Sequence, residues 1–116
     1  MDGGRPSELE GLILLALVRL GGDEAYGVPV RDEIVAQTGR TPSLAAVYAA
    51  LGRLEDAGLV ASWVSEPEPR PGGRARKHFR LRPGGVRALQ EARAEMERMW
   101  AGVDLSSFTE ETAGGT

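Results

Sequence analysis

Seven consecutive apolar residues at positions 12–18 (LILLALV) limit what this chain can fold into. The run is far short of the roughly 20 apolar residues that span a bilayer, and it lacks the basic leader and small-residue cleavage site of a signal peptide. In a helix over residues 9–20 it is apolar on every side, and such a helix has to be covered on more than one face. One face belongs to the core of the chain, and the other is expected to meet a second copy. A chain of 116 residues makes one domain with little core to spare, which gives a partner copy something to contribute.

The remaining periodicities place the other elements. Gly21 and Gly22 stop the first helix. A second is expected over residues 27–38, with Pro29 tolerated in its first turn and Gly39 closing it. A third starts at Ser43, a good N-cap, and ends by Gly58. On it, Leu44, Val47, Leu51 and Leu54 fall on one face and are expected to form a core stripe, which turns Ala45, Ala46, Ala49 and Arg53 outward. Residues 59–65 and 77–81 (KHFRL) read as strands. Pro67, Pro69, Pro71, Gly72 and Gly73 make the turn between them. A last helix opens at Pro83 and runs to about residue 102, its apolar residues near heptad spacing. The expected organisation is a flexible arm (1–8), a helix-turn-helix with a basic hairpin (9–82), a C-terminal dimerisation helix (83–105) and a flexible tail (106–116). The fold class is mainly α with a small β-hairpin.

Charge distribution points to a partner. Residues 70–82 hold six of the fourteen Lys and Arg residues and no acid, in a chain whose formal net charge is -3. Three helices followed by a basic hairpin is the order of a winged helix-turn-helix, an arrangement that binds double-stranded DNA. The third helix is the expected reader, offering Ala45, Ala46 and Ala49, with Ser43 and Tyr48 at its margins and Arg53 in reach of a phosphate or guanine. It has no Asn or Gln to bridge adenine, so much of its selectivity is expected from DNA shape. In the hairpin, Arg70, Arg74, Arg76 and Lys77 are candidates for phosphate or minor-groove contact. The plainer reading is a solvated basic turn pairing with Glu66 and Glu68. Arg80 and Arg82 suit surface pairs.

The expected dimer interface is Leu12, Leu15, Leu89, Met96, Met99, Trp100 and Val103. Two readings of Met96 and Trp100 stand. A two-fold axis near them would leave an aromatic slot for a small planar effector, or the tryptophan is simply dimer core. Trp63 reads as a strand residue beneath the hairpin. Catalysis has little to stand on. His78 is the single histidine and Cys is absent, which leaves neither a triad nor metal-ligand spacing and suits a reducing cytoplasm. The adjacent acids Asp23–Glu24 and Asp32–Glu33 read as solvated faces. No cofactor, metal or membrane partner is expected. The competing class is a winged-helix module that binds a ligand or protein and has little affinity for DNA.

Four stretches resemble a known family. AYGVPVRDEI (25–34), SLAAVYAALGRLEDAGLV (43–60), GGRARKHFRLRPGG (72–85) and MERMW (96–100) are similar to a short PadR-family transcriptional regulator. The likeness covers roughly residues 9–105, and its most specific part is the series Val47, Tyr48, Leu51, Arg53, Leu54, Gly58, Leu59. It implies a winged-helix dimer, usually a repressor, dimerised by its first and last helices, with an interface that in some relatives takes aromatic compounds. The chain departs from the family pattern at three places. Ala45-Ala46 replaces Gly followed by Thr or Ala, Arg82 replaces a capping Thr, and His78-Phe79 replaces Tyr-Tyr. No threonine or tyrosine contact to DNA is carried over at those positions.

Overall fold

The computed structural model describes residues 5–66 and 75–108. Helix α1 spans Glu8–Leu20, α2 Gly27–Thr38 and α3 Leu44–Asp56, and strands β1 (Val60–Val64) and β2 (Lys77–Leu81) lead into α4 (Pro83–Trp100). The fold is a winged helix-turn-helix followed by a fourth helix. The expected turn at Pro67, Pro69, Pro71, Gly72 and Gly73 lies outside the described residues, as do Arg70 and Arg74.

Helix α1 starts earlier than periodicity alone places it, because Ser7 and Glu10 form a capping box. The Ser7 hydroxyl accepts from the Glu10 N–H at 3.1 Å, and the Glu10 carboxylate accepts from the Ser7 N–H at 2.9 Å. Arg5 forms an ion pair with Glu95 of α4. Residues 5–8, assigned by sequence to a flexible arm, are therefore tied to two helices. At the other end a 3-10 turn, Leu105–Ser107, follows α4 where the tail was expected to begin.

The core is centred on α1, where Ile13, Leu14, Ala16 and Leu17 are buried. They meet Val30 and Ile34 of α2, Val47, Ala50, Leu51 and Leu54 of α3, Val60 of β1 and Phe79 of β2. Leu44 is a correction to the expected α3 stripe. It is 37% exposed, and Ala50 is buried in the stripe instead. Leu44 is the first residue of α3, one position past the Ser43 cap.

Strands β1 and β2 pair antiparallel, with Val60 opposite Leu81 and Trp63 opposite His78. On the far edge of β2 the segment before α2 adds a one-residue bridge, Tyr26 to His78, and the Phe79 N–H donates to the Ala25 carbonyl at 2.8 Å. This link fixes the hairpin to the α1–α2 connection. Helix α4 joins the body through its first turns, where Gly85 and Ala88 are buried. A Cβ at Gly85 would collide with the Leu59 carbonyl oxygen, so only glycine lets α4 approach this closely. As expected for Arg82 at the N-cap, no side chain caps α4. Among the described residues, no helix is long and apolar enough to cross a membrane.

Glu10 also ties α1 to α3, through Arg53 Nε at 2.7 Å from its second carboxylate oxygen. Partial burial acts to raise the Glu10 pKa, but the Arg53 guanidinium and the Ser7 hydrogen bonds outweigh it and hold the carboxyl below its ordinary value. A lowered folded-state value adds stability above the ordinary glutamate range, and that stability is lost as pH falls through the folded value. Glu10→Gln is expected to lower stability by about 1 kcal/mol at neutral pH. The gap to the wild type should close in urea titrations below about pH 4, and a gap independent of pH would refute this role.

Candidate nucleic-acid interface

Helix α3 owes its start to Ser43, whose hydroxyl accepts from the Ala46 N–H at 3.0 Å. The turn before it is held from α2, where Arg31 Nε donates to the Pro42 carbonyl at 2.7 Å. With Val47, Ala50, Leu51 and Leu54 facing inward, the outward stripe is Ala45, Ala49 and Gly52, all exposed, and Ala46 is half-buried. This stripe carries no long side chain. A Cβ at Gly52 would meet nothing within 4 Å, so the surface there is open. Sequence reasoning had not singled out Gly52.

The two flanks of this stripe differ. On the α1 side, Arg53 is turned to Glu10 rather than presented alone to a nucleic acid. On the hairpin side, Tyr48 is 44% exposed and its ring lies directly on Gly27, the first residue of α2. Beside it a groove of about 370 Å³ is lined by Tyr26, Val28, Tyr48, Ala75, Arg76 and Lys77. Residues from α2, α3 and β2 thus share one surface. The N-cap of α2 is Tyr26, which forms no side-chain cap, and Pro29 has no N–H to satisfy.

Three basic side chains of the hairpin that the structure describes have a neighbour. Arg76 lies over the Tyr26 ring, its guanidinium carbon 4.7 Å from the centroid. Arg80 lies 5.7 Å from the centre of the Trp63 ring system. Lys77 Nζ is 3.4 Å from Glu55 of α3, not at the Glu66 of the plainer sequence reading. The Ser62 hydroxyl donates to Glu55 at 2.6 Å, and with Lys77 it holds the Glu55 carboxyl below its ordinary value. The side chains of Arg53 and Lys77 remain 58% and 54% exposed, so both can exchange their carboxylates for another anion.

His78 has a structural place that sequence reasoning missed. It is 5% exposed, stacked on Trp63 with ring centres 5.1 Å apart and edge-on to Tyr26 at 5.3 Å. Its Nδ1 lies 3.1 Å from the Arg76 carbonyl and its Nε2 3.1 Å from the Asp23 carbonyl. The imidazole therefore joins the hairpin to the α1–α2 connection. The available signal was its place between Lys77 and Phe79 in a strand, where alternation puts it on the face opposite both.

The residues expected to meet a second copy form a separate surface. Leu15, Met96, Met99, Trp100 and Val103 are exposed, while Leu12 and Leu89 are half-buried against the core. Between α1 and α4 an open groove of about 560 Å³ is lined by Leu12, Leu15, Leu89 and Ala92, among others. Among the described residues, no group of three or more His, Cys, Asp or Glu stands ready to hold a metal.

The profile of the Transcriptional regulator PadR-like family matches residues 14–91. Among solved structures, a PadR family transcriptional regulator from Eggerthella lenta is 30% identical with TM-score 0.61, covering 82% of this chain and 81% of that one. A transcriptional regulator from Clostridium thermocellum is 25% identical with TM-score 0.65, covering 80% of this chain and 86% of that one. A PadR family transcription regulator from Clostridium difficile shares the fold at 23% identity and TM-score 0.64, covering 82% and 96% respectively. No curated protein matches the chain.

Replacing His78 by leucine keeps an apolar side chain there but removes the one imidazole N–H that reaches a backbone carbonyl, Asp23 or Arg76 according to the tautomer, together with the ring contacts to Trp63 and Tyr26. His78→Leu is expected to cost about 1–3 kcal/mol in urea unfolding. Unchanged stability would show that neither contact supports the fold.

Proposed function

Since the chain belongs to the PadR-like family, whose members are transcription regulators and not enzymes, we propose that this DNA-binding regulator acts as a homodimeric repressor on a pseudo-palindromic operator. The observation that carries the DNA-reading assignment is the bare outer stripe of α3, continuous through Tyr48 with the groove at Arg76 and Lys77. A helix faced with Ala45, Ala49 and Gly52 can bring its backbone close to base edges. Its methyl groups suit thymine methyls, and its lack of amide side chains shifts selectivity toward DNA shape. Ser43, Ala46 and Tyr48 border that stripe, and Arg53 reaches a phosphate only by leaving Glu10. Arg70, Arg74, Arg76 and Lys77 contribute affinity through the backbone.

A second copy is the occupant proposed for the α1–α4 surface. Leu15 at 48%, Met99 at 73% and Trp100 at 55% exposure are costly to leave in water, and an antiparallel or crossed α4 from another copy covers them. Two-fold symmetry then sets half-sites about 34 Å apart, one helical turn. Met96 at 60% exposure stands on the same stripe as Trp100, and a planar aromatic effector held between two such pairs is the proposed ligand of the dimer.

Selection of duplexes from a random pool, followed by anisotropy titration at several salt concentrations, tests the main reading. If three or four basic side chains per subunit neutralise phosphates, the salt slope of a dimer is roughly -5 to -7. Arg74→Ala with Arg76→Ala should flatten it by several units. Weak binding that is insensitive to that pair would favour the ligand- or protein-binding module. Leu15→Glu with Met99→Glu is expected to convert a sedimenting dimer into monomers and abolish enrichment of palindromes. If both variants sediment like the wild type, the α1–α4 surface is not the interface.

A further inference from the structure

We propose that Gly27 is a positioning residue for DNA recognition: its missing side chain is the seat in which the Tyr48 ring rests, and that seat aligns α3 with the hairpin. The inference rests on the DNA-binding reading above. Gly27 opens α2 and is buried, yet it is not among the glycines with positive φ, so its backbone conformation is open to any residue. At a helical position alanine is the better choice on conformational grounds. The demand for glycine is therefore steric. A Cβ at position 27 would collide with the phenol end of Tyr48, closest to Cζ, Oη and Cε1. The contrast with Gly11 in α1 and Gly52 in α3 is complete, since a Cβ at either meets nothing within 4 Å.

What the seat controls follows from its neighbours. Tyr48 lines the groove shared with Tyr26, Val28, Arg76 and Lys77. Tyr26, next to Gly27, bridges to His78 of β2 and lies under the Arg76 guanidinium. Position 27 thus touches α3 on one side and is one residue from the hairpin link on the other. Helix α2 cannot easily retreat from an added methyl, because Val30 and Ile34 are locked in the core at 0% and 3% exposure. The Tyr48 ring, at 44% exposure, is the part free to move, and its way out leads into the space a duplex would occupy. A methyl at 27 is therefore expected to affect DNA binding more than folding.

The test is a double-mutant cycle on Gly27→Ala and Tyr48→Ala, read by anisotropy on the duplex enriched by the wild type, at two salt concentrations. Circular-dichroism melting of each variant fixes a temperature at which it is folded. Gly27→Ala is expected to bind about tenfold more weakly while folded, and the double variant no more weakly than Tyr48→Ala alone, because without the ring the methyl has room. Binding of folded Gly27→Ala within twofold of the wild type would overturn the proposal, as would losses that simply add in the double variant. A lower melting temperature with unchanged affinity of the folded protein would reduce Gly27 to a packing role and overturn it as well. If Gly27→Ala does not fold, recovery of folding and of Tyr48→Ala-like binding in the double variant supports the seat, and failure of both to fold refutes it. A wild type that enriches no duplex is a separate outcome: it removes the DNA-binding reading itself and this inference with it.

Discussion

Everything in this protein hangs on the burial of α1. Ile13 and Leu14 are fully buried, and Leu17 nearly so, among residues from α2, α3 and both strands. At about 25 cal/mol per Å² of apolar surface, covering such a helix is the main source of stability available to a small domain. The same helix keeps Leu15 and Val18 outside, at 48% and 60% exposure. A single element thus supplies the centre of the fold and one wall of the α1–α4 groove. Its N-terminus adds a polar tie, since the Glu10 carboxylate closes the cap of α1 and holds Arg53 of α3.

A second set of contacts makes the hairpin part of the body rather than an appendage. His78 reaches the Asp23 carbonyl, Tyr26 bridges to the same strand, and the Phe79 N–H donates to the Ala25 carbonyl. Glu55 links α3 to both strands through Ser62 and Lys77. These are short polar and aromatic contacts between segments far apart in sequence. They carry the hairpin's basic side chains at a set position relative to α3, which is what a surface that follows a regular polyanion requires.

Much of the architecture was legible. The bounds of α2 and β2, the Ser43 cap and the lack of a cap at Arg82 all follow from local chemistry, because glycine, proline and hydroxyl side chains act on the backbone beside them. The box of Ser7 with Glu10 is equally local, though the apolar run that follows it is the stronger sequence signal. Leu44 misled because helical periodicity says which residues share a face, not how far along the helix that face is covered. The site was legible in part. Ala45 and Ala49 are exposed, and Tyr48, Arg76 and Lys77 line one groove, whereas the pairing of Arg53 with Glu10 spans 43 positions and leaves no local trace.

The amino-acid sequence by itself determined the order of elements, the apolar excess of α1, the acid-free basic stretch and the family, since each is a property of residue types at short spacing. Tertiary structure decided which of the charged groups already have partners, why a glycine stands at position 27, and that the single histidine is a buried joint. The physical reason is common to all three. They depend on atoms brought within a few ångströms by packing between elements distant in the chain, and neither side-chain periodicity nor composition carries that distance.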